Sequence, residues 1–137
     1  MRIAVPIWNG FVSSVFDFAH QLLVVDVEGQ QETNRSQIQL EQQAAPQRVN
    51  QLIGFEVDVI ICGAISRPLA AMLTASNINI IPFVSGPVDQ VLEAYLDNRL
   101  AEPQFLQPGC GPGARKRFGR SHDGRRGRGR RHRRGWC

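Results

Sequence analysis

The spacing of apolar and polar positions divides the chain into three regimes. In the first, apolar residues run or alternate as they do in strands. Ile3-Ala4-Val5-Pro6-Ile7 predicts a short strand, and Pro6, which has no N–H for a ladder, marks its end or an edge position. Trp8-Asn9-Gly10 is a turn signal, with Asn9 read as a turn former rather than a polar crevice contact. Residues 11–16 pair back as a second strand or run as an irregular arm, and residues 17–20 form a loop. Residues 21–27 are largely apolar and β-branched, residues 28–31 connect a hairpin, and residues 36–40 alternate like a half-exposed edge strand.

In the second regime, helical and strand periods take turns. Val49, Leu52 and Ile53 share one helical face, Pro46 sits in the first turn and Gly54 is a stop. Residues 58–62 predict a buried strand. Ser66 then caps a helix with Pro68 in its first turn, Leu69, Met72 and Leu73 on its apolar face, and Asn77 at its end. Residues 78–83 are another strand. Gly86-Pro87 opens a third helix, whose stripe of Val88, Val91, Leu92, Tyr95 and Leu96 continues to Arg99-Leu100. The order is β-β-β-β-α-β-α-β-α. Strands separated by helices pair in parallel through right-handed crossovers. The expectation is one α/β domain with a mixed five-stranded sheet and about three helices on its faces.

In the third regime, after Phe105, the periodicity ends. Residues 107–137 are rich in Gly, Pro and Arg and lack the apolar groups that offset ordering entropy. The expected division is a folded domain at residues 1–106 and a Gly/Arg-rich tail at 107–137, disordered from about residue 112 when unbound.

Charge sharpens that division. Residues 1–106 carry five Arg against eleven Asp and Glu, a net −6, whereas residues 107–137 carry ten Arg and Lys116 against Asp123 alone, a net +10. The sequence pI of about 9.6 is therefore a property of the tail. The body is acidic, and no basic patch is expected on the fold. Three cysteines without a CxxC pair suit a reducing compartment. The sequence shows no signal peptide and no apolar run near the roughly 18 residues of a membrane span, so a cytoplasmic protein is expected.

The stretch Ile61-Cys62-Gly63-Ala64-Ile65-Ser66-Arg67-Pro68-Leu69 is a strand–turn–helix junction. In open α/β sheets, ligands settle beyond the carboxyl ends of strands, and free N–H groups at a helix start hold anions there. Together with Arg2-Ile3-Ala4-Val5-Pro6, the V-S-x-V-F-D pattern at residues 12–17 and Pro108-Gly109-Cys110, it resembles the dinitrogenase iron–molybdenum cofactor biosynthesis family. That family includes NifX-type carriers and the C-terminal domain of the NifB type. The resemblance spans roughly residues 1–110. It implies a ribonuclease-H-like fold and transient carriage of an iron–sulfur or iron–molybdenum cluster precursor, with cluster donor and acceptor proteins as partners.

Several residues are candidates for such a site. The turn Gly63, Ala64, Ile65 and Ser66 either cradles an anion with its amides or is an ordinary serine-capped connection. Arg67 adds a charge-assisted contact or is a solvated helix start. Cys62 ends a buried strand, as a core residue or as a thiolate ligand. Cys110, in Pro-Gly-Cys-Gly, has the exposed setting of a thiolate that reaches for a soft metal. Asp17 and His20 sit three apart in one loop, where Asp17 is a candidate cofactor contact and His20 an imidazole ligand. One or two thiolates with open positions suit a carrier, whereas a closed four-ligand site holds metal structurally. Catalysis is not expected. The first strand carries no carboxylate, no second acid stands beside Asp58 for two-metal nuclease chemistry, and the folded part has a single His for any triad. The alternative is a nucleic-acid-binding protein that acts through residues 115–134, where basic side chains meet phosphates or an acidic partner. His122, His132 and Cys137 match no metal-finger spacing.

Overall fold

The computed structural model describes residues 1–40 and 44–108. The strands are β1 (Arg2–Trp8), β2 (Phe11–Val12), β3 (Gln21–Glu28), β4 (Gln31–Gln39), β5 (Val59–Ile61) and β6 (Asn79–Ile81). The helices are α1 (Ala45–Gly54), α2 (Arg67–Ala75) and α3 (Val88–Leu96), with single 3-10 turns at Phe16–Phe18 and Pro103–Phe105. The sheet order is β4-β3-β1-β5-β6, and β2 pairs only with β1. β1, β5 and β6 are parallel to one another, while β2 and β3 run antiparallel to β1. This is a single α/β domain with a mixed sheet, as the element order required. The sheet has six strands because the segment read as a strand or an arm pairs over two residues and then leaves the sheet.

Strand alternation splits the core in two. Ile3, Val5, Ile7, Val25 and Ile61 face α3, packing with Val88, Val91 and Leu92. Ala4, Leu22, Val24, Ile60 and Cys62 face α1 and α2, packing with Val49, Leu52, Leu69 and Leu73. β5 is buried on both faces, which explains its continuous apolar run.

β5 and β6 are shorter than expected, Val59–Ile61 against 58–62 and Asn79–Ile81 against 78–83, and four further boundaries differ for a local reason. Pro6 lies inside β1, opposite Leu22 of β3. It ends the ladder with β5, which stops at Ala4↔Ile60, and its carbonyl accepts from Ser13 N–H instead. β4 begins at Gln31, since backbone pairing with β3 carries a segment whose residues are all polar as far as Gln37. α1 runs through Gly54, and its left-handed closing residue is Glu56 (φ 58°), with Val57 N–H reaching back to Leu52 O. α3 stops at Leu96, because Asn98 (φ 60°) turns left-handed and Arg99 N–H reaches back to Ala94 O. Asn77 (φ 66°) closes α2 the same way, as its sequence position indicated. Among the described residues, no helix is long and apolar enough to cross a membrane.

Candidate functional site

The carboxyl ends of the parallel strands β1, β5 and β6 point to one end of the sheet, and the segments that follow them are tied together there. After β1, Asn9 (φ 52°) and Gly10 (φ 82°) make the tight turn into β2, as the Asn-Gly pair demands. β2 is held by the loop after β6, with Val12 N–H to Gly86 O and Val88 N–H to Gly10 O. The chain then passes beside the loop after β5, where Ala64 N–H donates to Ser14 O and Phe16 N–H to Ala64 O, both 2.8 Å. The loop after β6 also touches both neighbours, with Phe83 N–H to Gly63 O and Gln107 N–H to Phe83 O, each 2.9 Å.

Gly63 is the crossing point. A Cβ on it would stand 2.5 Å from the carbonyl oxygens of both Ser13 and Ser14 and 2.7 Å from Gln107 Nε2. Only a residue without a side chain lets these three segments approach so closely. Gln107 Nε2 donates to Ser14 O at 3.0 Å, so this residue, read as the first of the tail, is bonded to the body. Phe83 shows the cost of the arrangement. Its φ of 63° is unfavourable for an aromatic residue, and it is held there by the bonds from both sides. Neither Phe83 nor Gln107 stands out in the sequence, since their roles come from partners distant along the chain.

The predicted site residues divide sharply. Ser66 is the N-cap of α2, its hydroxyl accepting from Leu69 N–H at 3.4 Å. Of the amide cradle expected at residues 63–66, two donors are engaged within the chain. Ala64 N–H is bonded to Ser14 O, and Ser66 N–H donates to Asp17 Oδ1 at 2.8 Å. The chain's own Asp17 carboxylate thus takes the N–H of the N-cap residue. Asp17 is correspondingly a strut between two loops rather than an open ligand contact. Ile65 is buried, and Arg67 is exposed at the first position of α2. Cys62 is fully buried among Ala4, Phe16, Leu69 and other apolar groups, which favours the core reading over ligation. His20 is exposed just before β3, whose first residue pairs with Ile7 near the end of β1, so it stands at the same end of the sheet. Cys110, and the residues from 109 onward generally, lie outside the described residues. Among the described residues, no group of three or more His, Cys, Asp or Glu is placed to hold a metal ion.

Arg48 on α1 is a further residue that the sequence did not single out. It is 3% exposed, donates to Ala19 O at 3.1 Å and lies 5.7 Å from the centroid of the Phe16 ring. Burial pushes its pKa down, and the nearby Asp17 carboxylate opposes that shift. It anchors the loop that carries Asp17 and His20 from beneath.

Residues 1–98 match the family described as dinitrogenase iron-molybdenum cofactor. The chain belongs to this family. The match covers almost the whole described domain. Solved structures with the same fold include the apo form of the orange protein from Desulfovibrio gigas, with 23% identity, a TM-score of 0.61, 72% of this chain and 88% of that one. A candidate NifB protein from Thermotoga has 22% identity and a TM-score of 0.59, over 72% of this chain and 89% of that one. A candidate dinitrogenase from Methanocaldococcus jannaschii has 17% identity and a TM-score of 0.60, over 72% and 90%. No curated protein matches this member of the dinitrogenase iron-molybdenum cofactor family significantly in sequence.

Proposed function

We propose that this protein is a non-enzymatic carrier of a metallocluster precursor, iron–sulfur or iron–molybdenum, held at the loop end of the sheet. The observation that carries this reading is the convergence at Gly63, because it brings Gln107 beside the loop after β5. Cys110 follows Gln107 by three residues in the sequence. A thiolate on that tether and the exposed imidazole of His20 are soft and borderline donors suited to such cargo. Two protein ligands leave coordination positions open, as delivery to an acceptor protein requires. Arg67 supplies positive charge at the rim, and residues 63–66, tied down by Ser14 and Asp17, form the floor. Family membership supports this assignment. Thiolate ligation also calls for a reducing compartment, in keeping with a cytoplasmic protein.

Anaerobic incubation of the full chain with ferrous iron and sulfide, followed by desalting and metal analysis, tests this reading. The parent retains iron. Cys110→Ala lowers the affinity by at least roughly tenfold, His20→Ala weakens it, and Cys62→Ala leaves it in place. Failure of the parent to take up iron, or equal uptake by Cys110→Ala, overturns the assignment.

A further inference from the structure

β4 is the long free margin of the sheet. It stands at the end of the strand order, and among the described residues no strand lies beyond it. The opposite margin, β6, is only three residues long. The phase of the ladder shows which backbone groups β4 turns outward. Leu40 N–H donates to His20 O, one step past the pairing of Gln39 with Gln21. Bonded and non-bonded pairs alternate along an antiparallel ladder, so Ile38 and Ser36 bond to β3, while Gln39, Gln37 and Arg35 turn N–H and C=O away from it. Val27 N–H donates to Met1 O on the other side of β3, which sets the same phase, since Val25 opposite Arg35 then also turns away from β4.

An exposed strand edge is normally protected against pairing by lysine, proline, a bulge or a covering segment. Between Asn34 and Gln39, β4 has neither lysine nor proline, and the register shift in its pairing with β3 lies earlier, at Asp26/Val27. Its one charge in that stretch, Arg35, is drawn off the edge. Nε and Nη2 donate to Glu32 at 2.7 and 2.8 Å, and Nη1 donates to Asp89 of α3 at 2.7 Å. The guanidinium therefore lies over the α3 face and leaves the margin open.

We propose that β4 pairs antiparallel with β4 of a second copy of this chain, about a twofold axis, so that two sheets join into one. This goes beyond cluster carriage and does not depend on it. Symmetry and charge select that occupant. With its one arginine neutralised, the stretch offers no charge pattern to a foreign edge, whereas an identical strand matches it in length and in the spacing of its outward groups. The carboxylates Asp26, Glu28 and Glu32 gather around the β3–β4 hairpin. Antiparallel pairing carries the two hairpins to opposite ends, whereas parallel pairing would set them side by side. An axis at Gln37 puts Gln37 opposite the partner's Gln37 and Arg35 opposite the partner's Gln39, so that all the outward groups bond. An axis at Arg35 would set two guanidiniums opposite each other, which is unfavourable. On the α1/α2 face, the half-buried Ile38 meets the partner's Ser36 and lies diagonal to the partner's Ile38, which extends the apolar cover there.

Sedimentation equilibrium of the full, metal-free chain tests the proposal, and the absence of metal separates its outcome from that of the carrier reading. In about 1 M salt, where the screening length is about 3 Å, attraction between basic and acidic parts of different molecules is suppressed and backbone pairing persists. The parent should be a concentration-dependent dimer there, with the micromolar dissociation constant of a small interface. Gln37→Pro removes a donor that faces only outward, so it should weaken the dimer by at least about tenfold while leaving the pairing with β3 intact. At about 0.1 M salt, Gln37→Lys and Gln37→Glu, each set against its own copy, should weaken the dimer by about threefold or more, and mixing the two should restore it as a heterodimer, which a folding defect could not do. A parent that stays monomeric in high salt up to about 1 mM overturns the proposal. A dimer that Gln37→Pro leaves intact overturns it too, because the contact then lies elsewhere, and so does a failure of the two charge variants to recombine.

Discussion

Single residues at the loop end are constrained by neighbours far away in sequence. Gly63 reads as a turn glycine, yet its own loop does not require it. The requirement comes from the Ser13 and Ser14 carbonyls, about fifty positions earlier, and from Gln107. Gly63→Ala should destabilise the fold by about 1–3 kcal/mol, as overpacking against backbone does, read as a lower denaturation midpoint at unchanged m-value. An unaltered midpoint would show that the three segments do not meet there. Cys62 teaches the complementary point. A cysteine at a strand end is equally compatible with a ligand and with a core, and only its full burial among apolar side chains distinguishes them. Arg48 was invisible for the same reason, because its value depends on Ala19 and Phe16 in another segment.

Elements were legible where their signals were local. The Ser66 cap, the Pro46 and Pro68 helix starts and the Asn9-Gly10 turn all use side chains within a few positions. The left-handed closure at Glu56 leaves no signal, since glutamate has no preference for that conformation, and the closure at Asn98, a residue that does favour it, is masked by the apolar stripe that continues to Leu100. β4 extends beyond the segment that alternation predicts, because its polar run has none, and its partner β3 supplies the order. The far end of β1 and β3 is clamped by Arg2, whose Nε donates to Asp26 Oδ1 at 2.7 Å while Nη1 donates to Phe55 O. The hydrogen bond from Arg2, with its positive charge, lowers the Asp26 pKa below the ordinary 3.8. The folded state therefore binds this proton less readily than the unfolded chain. The clamp stabilises above the ordinary carboxylate range and is lost as pH falls through the depressed value. Asp26→Asn should lower the melting temperature at neutral pH and shrink the difference from the parent in acid. A difference that grows on acidification would reverse this assignment.

For the whole molecule, the division of charge is the main organising fact. An acidic body of net −6 is joined to a basic segment of net +10 at the end where the strand-following loops converge. Both core clusters are built from residues between Ile3 and Phe105. Removing residues 109–137 should therefore shift the melting temperature by less than about 4 °C while making the protein acidic. A collapse of the melting transition would show that the tail is part of the fold. The sequence by itself determined the order of elements, the parallel pairing of the late strands, the charge division and membership of the family. Each of these depends on periodicity, composition or local chemistry, which are carried by neighbouring positions. Tertiary structure decided that Cys62 faces the core, that Asp17 accepts from the Ser66 N–H at the cap of α2, and that Gln107 closes on Gly63. These depend on which distant segments meet, and backbone hydrogen bonds and side-chain packing between loops settle that without leaving a local pattern to read.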